Sequence, residues 1–448
     1  MTDLDLQETK VRTSKWIDNH AQEIVDFCMD LIRHKSITGD EFSIQKDFLQ
    51  PHLKMNMCWD TLDYFSVASG KERPNINAIW KGVGGGRNLL MNGHVDVVDV
   101  PETQRSRWTK DPWNPVVEGG CIFGRGSNDM KGGITSMIWA IRALMENDVR
   151  LNGTLAIELV AGEEMMNHDI GTTAATKRLL DQGYTFPFCV APEVTNCEIQ
   201  TVSAGSFDFE VSVTGKEIHT CMRNFVLYPQ RWGLPSGETV GVDAVSKLID
   251  ILKLFEKLEK QWVHRWRHQV LGSGGYPMHE DGQGVGCFTI NPSFIEGGSY
   301  LAAIPGNAKA HCQVYYPSWL EYEDVAAEIK SVVDAYASTD DWLRKNPPKF
   351  TVGKVFIWPA YETDVNHPAC KALAKAWEDA TGRPAQFSGL KAVDDIAFTQ
   401  GLGIPGVSMG PGDPSMGTHG PDEHVPIDQI IMMAKTLAFF AIDWCRTQ

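Results

Sequence analysis

Short apolar segments that end in turns, separated by stretches of helical spacing, restrict the fold of this chain more than any other feature. The clearest segments are Ile76–Trp80, Leu89–Asn92, Thr154–Val160 and Phe188–Ala191. Runs of this kind are typical of strands in a parallel sheet that is covered on both faces. Gly132–Met145 carries its apolar residues on one helix face. The pattern predicts an α/β fold, with a mainly parallel sheet covered by helices.

The length predicts two domains, because 448 residues exceed what one hydrophobic core usually serves. From about Phe207 the pattern changes to alternating strands and long charged helices, and near Trp358 it returns to α/β character. We therefore predict a catalytic domain formed by residues 1–207 and 358–448. Residues 208–357 are predicted to form an inserted α+β module.

Composition excludes several classes of partner. The net charge of −16 disfavours nucleic acid, whose binding requires basic surface. No apolar run approaches the roughly 20 residues that span a bilayer, and the acidic N-terminus does not have the form of a signal peptide. The ten cysteines are scattered without a CxxC pair, as in reduced proteins. We expect a cytoplasmic protein with no membrane or nucleic-acid partner.

Acidic residues and histidines lie at or soon after several predicted strands. In an open α/β sheet, ligands bind outside the carboxyl ends of the strands. A His/Asp/Glu set without cysteine suits Zn²⁺, Mn²⁺ or Co²⁺, and two such ions about 3.5–4 Å apart share a bridging carboxylate. The candidate residues are His94 and Asp96 in GHVD, Asp129 in GRGSNDMKGG, Glu163 and Glu164 in GEE, Glu193 in PE, and His419 in GTHGPDEH.

Each of these segments has a less specific explanation when it is taken alone. A single HxD pair is usually structural, and Asp129 is also suited to cap the helix that begins near Gly132. Glu163 and Glu164 would mean nothing on an open surface. At the end of a buried strand, however, two adjacent carboxylates repel unless one is protonated or both face cations. The joint pattern favours a binuclear metal site.

These segments, in this order, resemble the metallopeptidase family of acetylornithine deacetylase, succinyl-diaminopimelate desuccinylase, carboxypeptidase G and aminoacylase. The resemblance covers most of the chain and implies hydrolysis of an amide-type C–N bond by a metal-bound hydroxide. Zn²⁺ is expected ahead of Mn²⁺ or Co²⁺. By this resemblance, one ion is bound by His94 and Glu193, the other by Glu164 and His419, and both by Asp129.

The resemblance also implies roles for three residues that do not bind the ions. Glu163 would be the general base that moves the proton of the attacking water. Asp96 would orient His94. His219, in VTGKEIHT, would reach a neighbouring subunit's site and stabilise the oxyanion, although a surface histidine at a strand end is the alternative. The family inserts a small ferredoxin-like lid that forms dimers, so a homodimer or higher homo-oligomer is expected through residues 208–357.

The positions that hold the substrate's carboxylate in this family differ in this chain. Ala302 stands where the family has an Asn, and Val314 and Ala397 take the places of two Arg. Arg223 and Lys391 are the remaining cationic candidates for contact with a substrate.

Three functions remain open from the sequence. The first is hydrolysis of a small N-acyl or non-peptide substrate. The second is an aminohydrolase that releases ammonia from an activated aromatic amine resembling nitroanthranilate. The third is a non-catalytic binding protein on the same fold, against which the retention of Glu163 argues.

Overall fold

The structure is a computed structural model that describes residues 3–228, 239–268, 271, 288–390 and 392–446. The chain divides into two compact units. Unit 1 consists of Met1–Val202, Tyr361–Leu390 and Asp394–Gln448. Unit 2 consists of Ser203–Ala360 and Lys391–Val393. The domain boundaries inferred above, at 207/208 and 357/358, stay a prediction.

Unit 1 combines a large sheet with helices. Its described helices are α1 (Asp3–Asn19), α2 (Ala21–Arg33), α3 (Gln50–Asn56), α4 (Glu102–Arg105), α5 (Gly132–Glu146), α6 (Thr172–Asp181), α10 (Pro368–Thr381), α11 (Ile396–Gly401) and α12 (Ile427–Arg446). Its described strands are β1 (Thr61–Phe65), β2 (Asn75–Trp80), β3 (Leu89–His94), β4 (Val116–Glu118), β5 (Cys121–Phe123), β6 (Leu155–Val160), β7 (Cys189–Val194), β8 (Ile199–Ser203), β15 (Tyr361–Glu362), β16 (Phe387–Leu390), β17 (Gly406–Gly410) and β18 (His424–Pro426).

The large sheet has the strand order β1-β2-β6-β3-β7-β17-β8-β15, with β16 beside β8. Its centre is parallel, since β6, β3, β7 and β17 all run in the same direction. On one side β2 is antiparallel to β6 and β1 is antiparallel to β2, and on the other side β8 is antiparallel to β17. The central strands β3, β6 and β7 are buried along their whole length. The predicted α/β fold with a mainly parallel sheet is confirmed, and the antiparallel strands lie at its flanks.

Helix α5 packs directly on the sheet because its first turn has no side chains in the way. A Cβ at Gly133 would lie 1.8 Å from the carbonyl oxygen of Pro192 in β7. Glycine therefore permits a backbone approach that any other residue would prevent. Most of α5 is buried, between the sheet and helix α12. The turn that precedes α5, with Asp129, is thereby held at the edge of the sheet.

Unit 2 is built around a four-stranded antiparallel sheet. Its helices in the described range are α7 (Arg223–Leu227), α8 (Ala244–Arg265) and α9 (Tyr322–Thr339). Its strands there are β9 (Gly205–Thr214), β10 (Ile218–His219), β11 (Ile290–Gly297), β12 (Ala303–Ile304), β13 (Asn307–Tyr316) and β14 (Lys349–Trp358). The strand order β11-β13-β9-β14, with α8 and α9 following β9 and β13, is the ferredoxin-like arrangement that was expected. No helix in the described ranges has the length and apolarity required to cross a bilayer.

Candidate metal centre

The candidate ligands of unit 1 meet at one edge of its sheet. His94 is the last residue of β3, and Glu163 and Glu164 form a turn directly after β6. Glu193 lies within β7, where the sequence had suggested a position just past the strand. Because β3, β6 and β7 are parallel, their carboxyl ends lie at the same edge. Asp129 reaches this edge from the turn before α5.

Asp129 lies between the two histidines. Its Oδ1 is 3.1 Å from His94 Nε2, and its Oδ2 is 3.4 Å from His419 Nε2. His94 Nε2 is also 3.5 Å from Glu193 Oε1, while His419 Nε2 is 2.8 Å from Glu164 Oε2. His94, Asp129 and Glu164 each offer a ligand atom within 4.8 Å of the others. The two sides of Asp129 thus face different pairs of candidate ligands.

Negative charge is crowded at this edge. Burial raises the pKa of Glu164 to about 7, and the charge of Asp129 adds to this effect. Burial also raises the pKa of Glu193 well above its usual range. Burial alone would lower the pKa of His94, but the carboxylates of Glu163, Asp129 and Glu193 raise it well above its usual value. A set of carboxylates and imidazoles that needs this much positive charge fits divalent cations.

Glu163 has the environment of a general base. Its Oε2 is 3.8 Å from His94 Nε2, and its side chain is 12% exposed. Burial raises its pKa well above the usual range, His94 opposes that shift, and Glu164 adds to it. A carboxylate with a raised pKa suits proton transfer near neutral pH.

Asp96 contacts the turn that carries Glu163 and Glu164 rather than the imidazole of His94. Its carboxylate accepts hydrogen bonds from the backbone N–H groups of Gly162, Glu163 and Glu164 at 2.8–3.2 Å. The closest approach of that carboxylate to His94 Nδ1 is 3.8 Å. His94 Nδ1 instead donates to the backbone carbonyl of Asp96 at 3.0 Å, which leaves Nε2 free to bind a cation. The hydrogen bond that orients His94 therefore comes from the backbone carbonyl of Asp96 and not from its carboxylate.

Comparison with known proteins identifies the family. The family model described as Peptidase family M20/M25/M40 matches residues 90–443. The chain belongs to peptidase family M20/M25/M40. This confirms the resemblance found in the sequence, since succinyl-diaminopimelate desuccinylases are among the relatives of the chain.

Two relatives share a more particular activity. The N-formyl-4-amino-5-aminomethyl-2-methylpyrimidine deformylase of Halalkalibacterium halodurans is 30% identical over 385 residues, which is 83% of this chain and 83% of that protein. The same enzyme of Bacillus subtilis is 28% identical over 445 residues, 96% of each chain. The structure of human carnosine dipeptidase 1 has the same fold, with a TM-score of 0.71, 15% identity and coverage of 97% of this chain and 98% of that one. This M20 chain is a metallohydrolase acting on C–N bonds.

His219 belongs to unit 2 and is exposed at the end of β10. Its Nδ1 accepts a hydrogen bond from the backbone N–H of Cys221 at 3.1 Å. In the neutral ring this leaves the proton on Nε2, so His219 is a hydrogen-bond donor. Arg223 forms an ion pair with Asp243, so its charge is already partly satisfied. Lys391 lies outside the described residues.

Val314 does not occupy a position where an M20 arginine could meet a substrate. Its side chain is fully buried in the core of unit 2, on the face of β13 that packs against the helices. The residues on either side of it point to the opposite face, where Gln313 Nε2 donates to Tyr315 Oη at 3.1 Å. The sequence comparison was therefore wrong to treat Val314 as the replacement for the arginine, and Gln313 or Tyr315 is the outward-facing neighbour.

Two acidic side chains lie beside Ala397, which replaces the other arginine. Asp394 and Asp395 are buried, and burial raises their pKa values to about 6 and about 7. Asp394 bonds to Ser408 and Tyr361. Thr172 lies beside Asp395 but outside hydrogen-bond geometry. The segment around Ala397 therefore lacks the arginine and also carries two adjacent buried carboxyl groups.

Proposed function

We propose that the protein removes a small acyl group, of about formyl size, from an amine nitrogen of a small substrate that has no carboxylate. The observation that carries this proposal is the buried pair Asp394 and Asp395 beside Ala397, where relatives that bind carboxylates have an arginine. The charges of both aspartates contribute to the raised pKa of Glu193, so they act on the candidate metal centre. A substrate carboxylate would be repelled there, whereas a neutral amino-heterocycle would not.

The similarity to two N-formyl-aminopyrimidine deformylases supports the same substrate class. The substrate given by the name of these enzymes is a formylated amine on a pyrimidine ring, without a carboxylate. We therefore place a formylated aminomethyl-heterocycle first among candidate substrates, ahead of N-acyl amino acids.

In the proposed reaction, water adds to the acyl carbon, a C–O bond forms, and the C–N bond breaks to release a carboxylic acid and an amine. Two divalent ions, Zn²⁺ ahead of Mn²⁺ or Co²⁺, supply positive charge that lowers the pKa of the water and polarises the acyl carbonyl group. His94, Asp129, Glu164, Glu193 and His419 would hold them. Glu163 takes the proton from the water and gives it to the leaving nitrogen. The Nε2–H group of His219, supplied by a neighbouring subunit, donates a hydrogen bond to the developing oxyanion.

A substrate panel tests the proposal. It contains a formylated aminomethylpyrimidine, an N-succinyl diamino acid and a nitroaniline, each assayed with the Zn²⁺, Mn²⁺ and Co²⁺ forms. We expect formate and free amine from the first compound and at least 10-fold lower kcat/KM with the second. Ammonia released from the nitroaniline, without a carboxylic acid, would instead support the aminohydrolase alternative, which the loss of the carboxylate clamp also favours. Preference for the N-succinyl substrate would contradict the proposed substrate class.

Replacement of the general base tests the mechanism. Glu163→Gln keeps the shape of the side chain but cannot accept the proton, so turnover should fall about 10²- to 10⁴-fold while metal content stays unchanged. The matched control is Glu146→Gln at the exposed end of α5, which should retain full activity. Unchanged turnover in Glu163→Gln, measured in the metal-loaded enzyme, would exclude Glu163 as the general base.

We further propose that unit 2 forms a homodimer through the edge strand β11. β11 pairs only with β13 within the described sheet and exposes Phe294 and Ile295, which are 67% and 59% accessible. Phe294→Glu should convert the dimer to a monomer in light scattering. Val355→Glu, at a 65% exposed position on the opposite edge strand β14, is the control. A wild-type monomer, or equal effects of both variants, would contradict this assembly.

We also propose that the protein is located in the cytoplasm. The nine cysteines in the described ranges are all free thiols, which supports the cytoplasm. The partners we propose are the small-molecule substrate and a second copy of this chain.

A further inference from the structure

Glu423 is a buried carboxylate that holds the turn carrying Asp129. It is fully buried and accepts hydrogen bonds from three backbone N–H groups of that turn. Its Oε2 accepts from Gly126 at 2.9 Å, and its Oε1 accepts from Asn128 and Asp129, both at 3.0 Å. Three such bonds leave the backbone at Asp129 little freedom to move.

Arg125 connects Glu423 to the loop that carries His419. Its Nη1 forms an ion pair with Glu423, and the side chain is 1% exposed. Its Nη2 donates to the backbone carbonyl of Gly420 and to Gln104 Oε1, both at 3.2 Å. The amide of Gln104 then donates from Nε2 to the carbonyl of His419 itself, at 2.8 Å. A continuous chain of hydrogen bonds therefore runs from the N–H of Asp129 to the carbonyl of His419.

We propose that Glu423, Arg125 and Gln104 are positioning residues that fix the distance between Asp129 and His419 and thereby set the affinity of the ion held by Glu164 and His419. We name these three residues the clasp. The inference rests on the proposed two-metal site, toward which none of the three offers a ligand atom.

The geometry explains why the ion held by Glu164 and His419 depends on the clasp more than the ion held by His94 and Glu193. His94 belongs to a buried central strand and is 1% exposed, so the sheet itself holds it. His419 lies in a loop, its side chain is 52% exposed, and its backbone has a positive φ of 58°. A residue held in that conformation outside a helix or strand needs support from its surroundings. Among the described hydrogen bonds, Gln104 supplies the one that reaches the carbonyl of His419 from a side chain.

The test is a titration of the metal-free protein with Zn²⁺ by calorimetry, together with metal content after dialysis. The variants are Gln104→Ala, Glu423→Gln, Arg125→Met and the conservative Arg125→Lys. Lys10→Met is the matched control, because Lys10 is also buried and paired, with Asp379 and Asp443, but contacts no candidate ligand. Circular dichroism and the midpoint of thermal unfolding show that each variant is folded at the titration temperature.

We expect the wild type to bind two ions. Lys10→Met should bind both of them with the same affinities as the wild type. Gln104→Ala should weaken one ion about 10-fold and leave the other unchanged. Glu423→Gln and Arg125→Met should weaken that ion about 100-fold and the ion at His94 less, since both ions share Asp129, and Arg125→Lys should recover part of the loss. The absorption of the Co²⁺-loaded protein should change in the same order, which a loss of stability alone would not produce.

Two outcomes would overturn the clasp. One is unchanged affinity for both ions in folded Gln104→Ala and Glu423→Gln. The other is a loss in Lys10→Met equal to that in the clasp variants, which would show that lower stability explains it. Failure of the wild type to bind a second ion would instead contradict the two-metal site, so the two failures are distinguishable.

Discussion

The two units hold their functional residues in different ways. In unit 1, two buried carboxylates, Asp96 and Glu423, each accept three backbone N–H groups from a turn that carries candidate ligands. In unit 2, His219 is exposed, and within the described residues its ring makes one hydrogen bond, to the N–H of Cys221. The carboxylates that support the candidate metal centre are therefore buried, and the candidate ligands are buried or partly buried apart from His419, whose side chain is 52% exposed, while the residue expected to meet a substrate lies on the surface.

The residues expected to carry out the reaction and the residues expected to select the substrate therefore differ in burial. The turns that carry Asp129, Glu163 and Glu164 depend on buried contacts to their backbone, so a substitution nearby would disturb the chemistry itself. The positions that we expect to face the substrate include His219, which is exposed, and Ala302 of unit 2, which is partly exposed. Such positions can change at little cost in stability, because surface substitutions usually shift it by about 0.5 kcal/mol or less.

The largest effect that tests this comparison is expected in unit 2. His219→Ala should lower kcat about 10²- to 10³-fold, since it removes one donor to the oxyanion, and should leave metal content and stability unchanged. His264→Ala, at another exposed histidine of unit 2, is the control and should retain full activity. Equal kcat values for the two variants would reduce His219 to a surface histidine, which is the alternative that the sequence left open.

The sequence was sufficient to predict the parts of the candidate site whose positions follow from the order and direction of the strands. Strands β3, β6 and β7 are recognisable as apolar runs, and parallel strands bring their carboxyl ends to one edge, so His94, Glu164 and Glu193 could be expected to meet. The sequence did not reveal the partners of Asp96 or of Glu423. Each of these carboxylates accepts hydrogen bonds from backbone N–H groups distant in the chain, such as Glu423 from Gly126. Because every residue except proline has a backbone N–H group, such partners cannot be recognised from the residue types in the sequence.

Side-chain direction explains the error at Val314. A one-residue difference in register moves a strand residue from one face of the sheet to the other, so an alignment based on spacing alone cannot choose between Val314 and its neighbours. In β13 the choice is visible as burial, since Cys312 and Val314 are buried and Gln313 is partly exposed.

A pair of substitutions measures that difference in direction. Val314→Arg places an unpaired charge in the core of unit 2 and should lower the free energy of unfolding by about 3–5 kcal/mol. Gln313→Arg, one residue earlier on the opposite face, should cost about 1 kcal/mol through its hydrogen bonds to Ser206 and Tyr315. Urea unfolding of both variants gives the comparison. Equal losses of stability would mean that residue 314 does not face the core.

The smallest expected effect is the release of protons when unit 1 binds metal ions. Hydrogen bonds to Asp129 and Glu164 raise the pKa of His419 to about 10, and the carboxylates around His94 raise its pKa well above the usual value. We therefore expect both rings to carry a proton near pH 7 in the metal-free protein. An imidazole must lose that proton to bind a cation, and Glu164 and Glu193, whose pKa values are also raised, must lose any proton they hold. Metal uptake should therefore release at least about two protons per chain. Because protons compete with the ion, the affinity should rise with pH from 6 to 8.

Calorimetric titrations in two buffers with different ionisation enthalpies count these protons. His219→Ala is the internal control, since a histidine that binds no ion in unit 2 should leave the count unchanged. Heat that does not depend on the buffer would mean that both rings are already neutral. It would equally mean that Glu164, whose pKa is about 7, carries no proton that the ion displaces, and the crowded carboxylates would then have to hold their negative charge without protons until a cation binds.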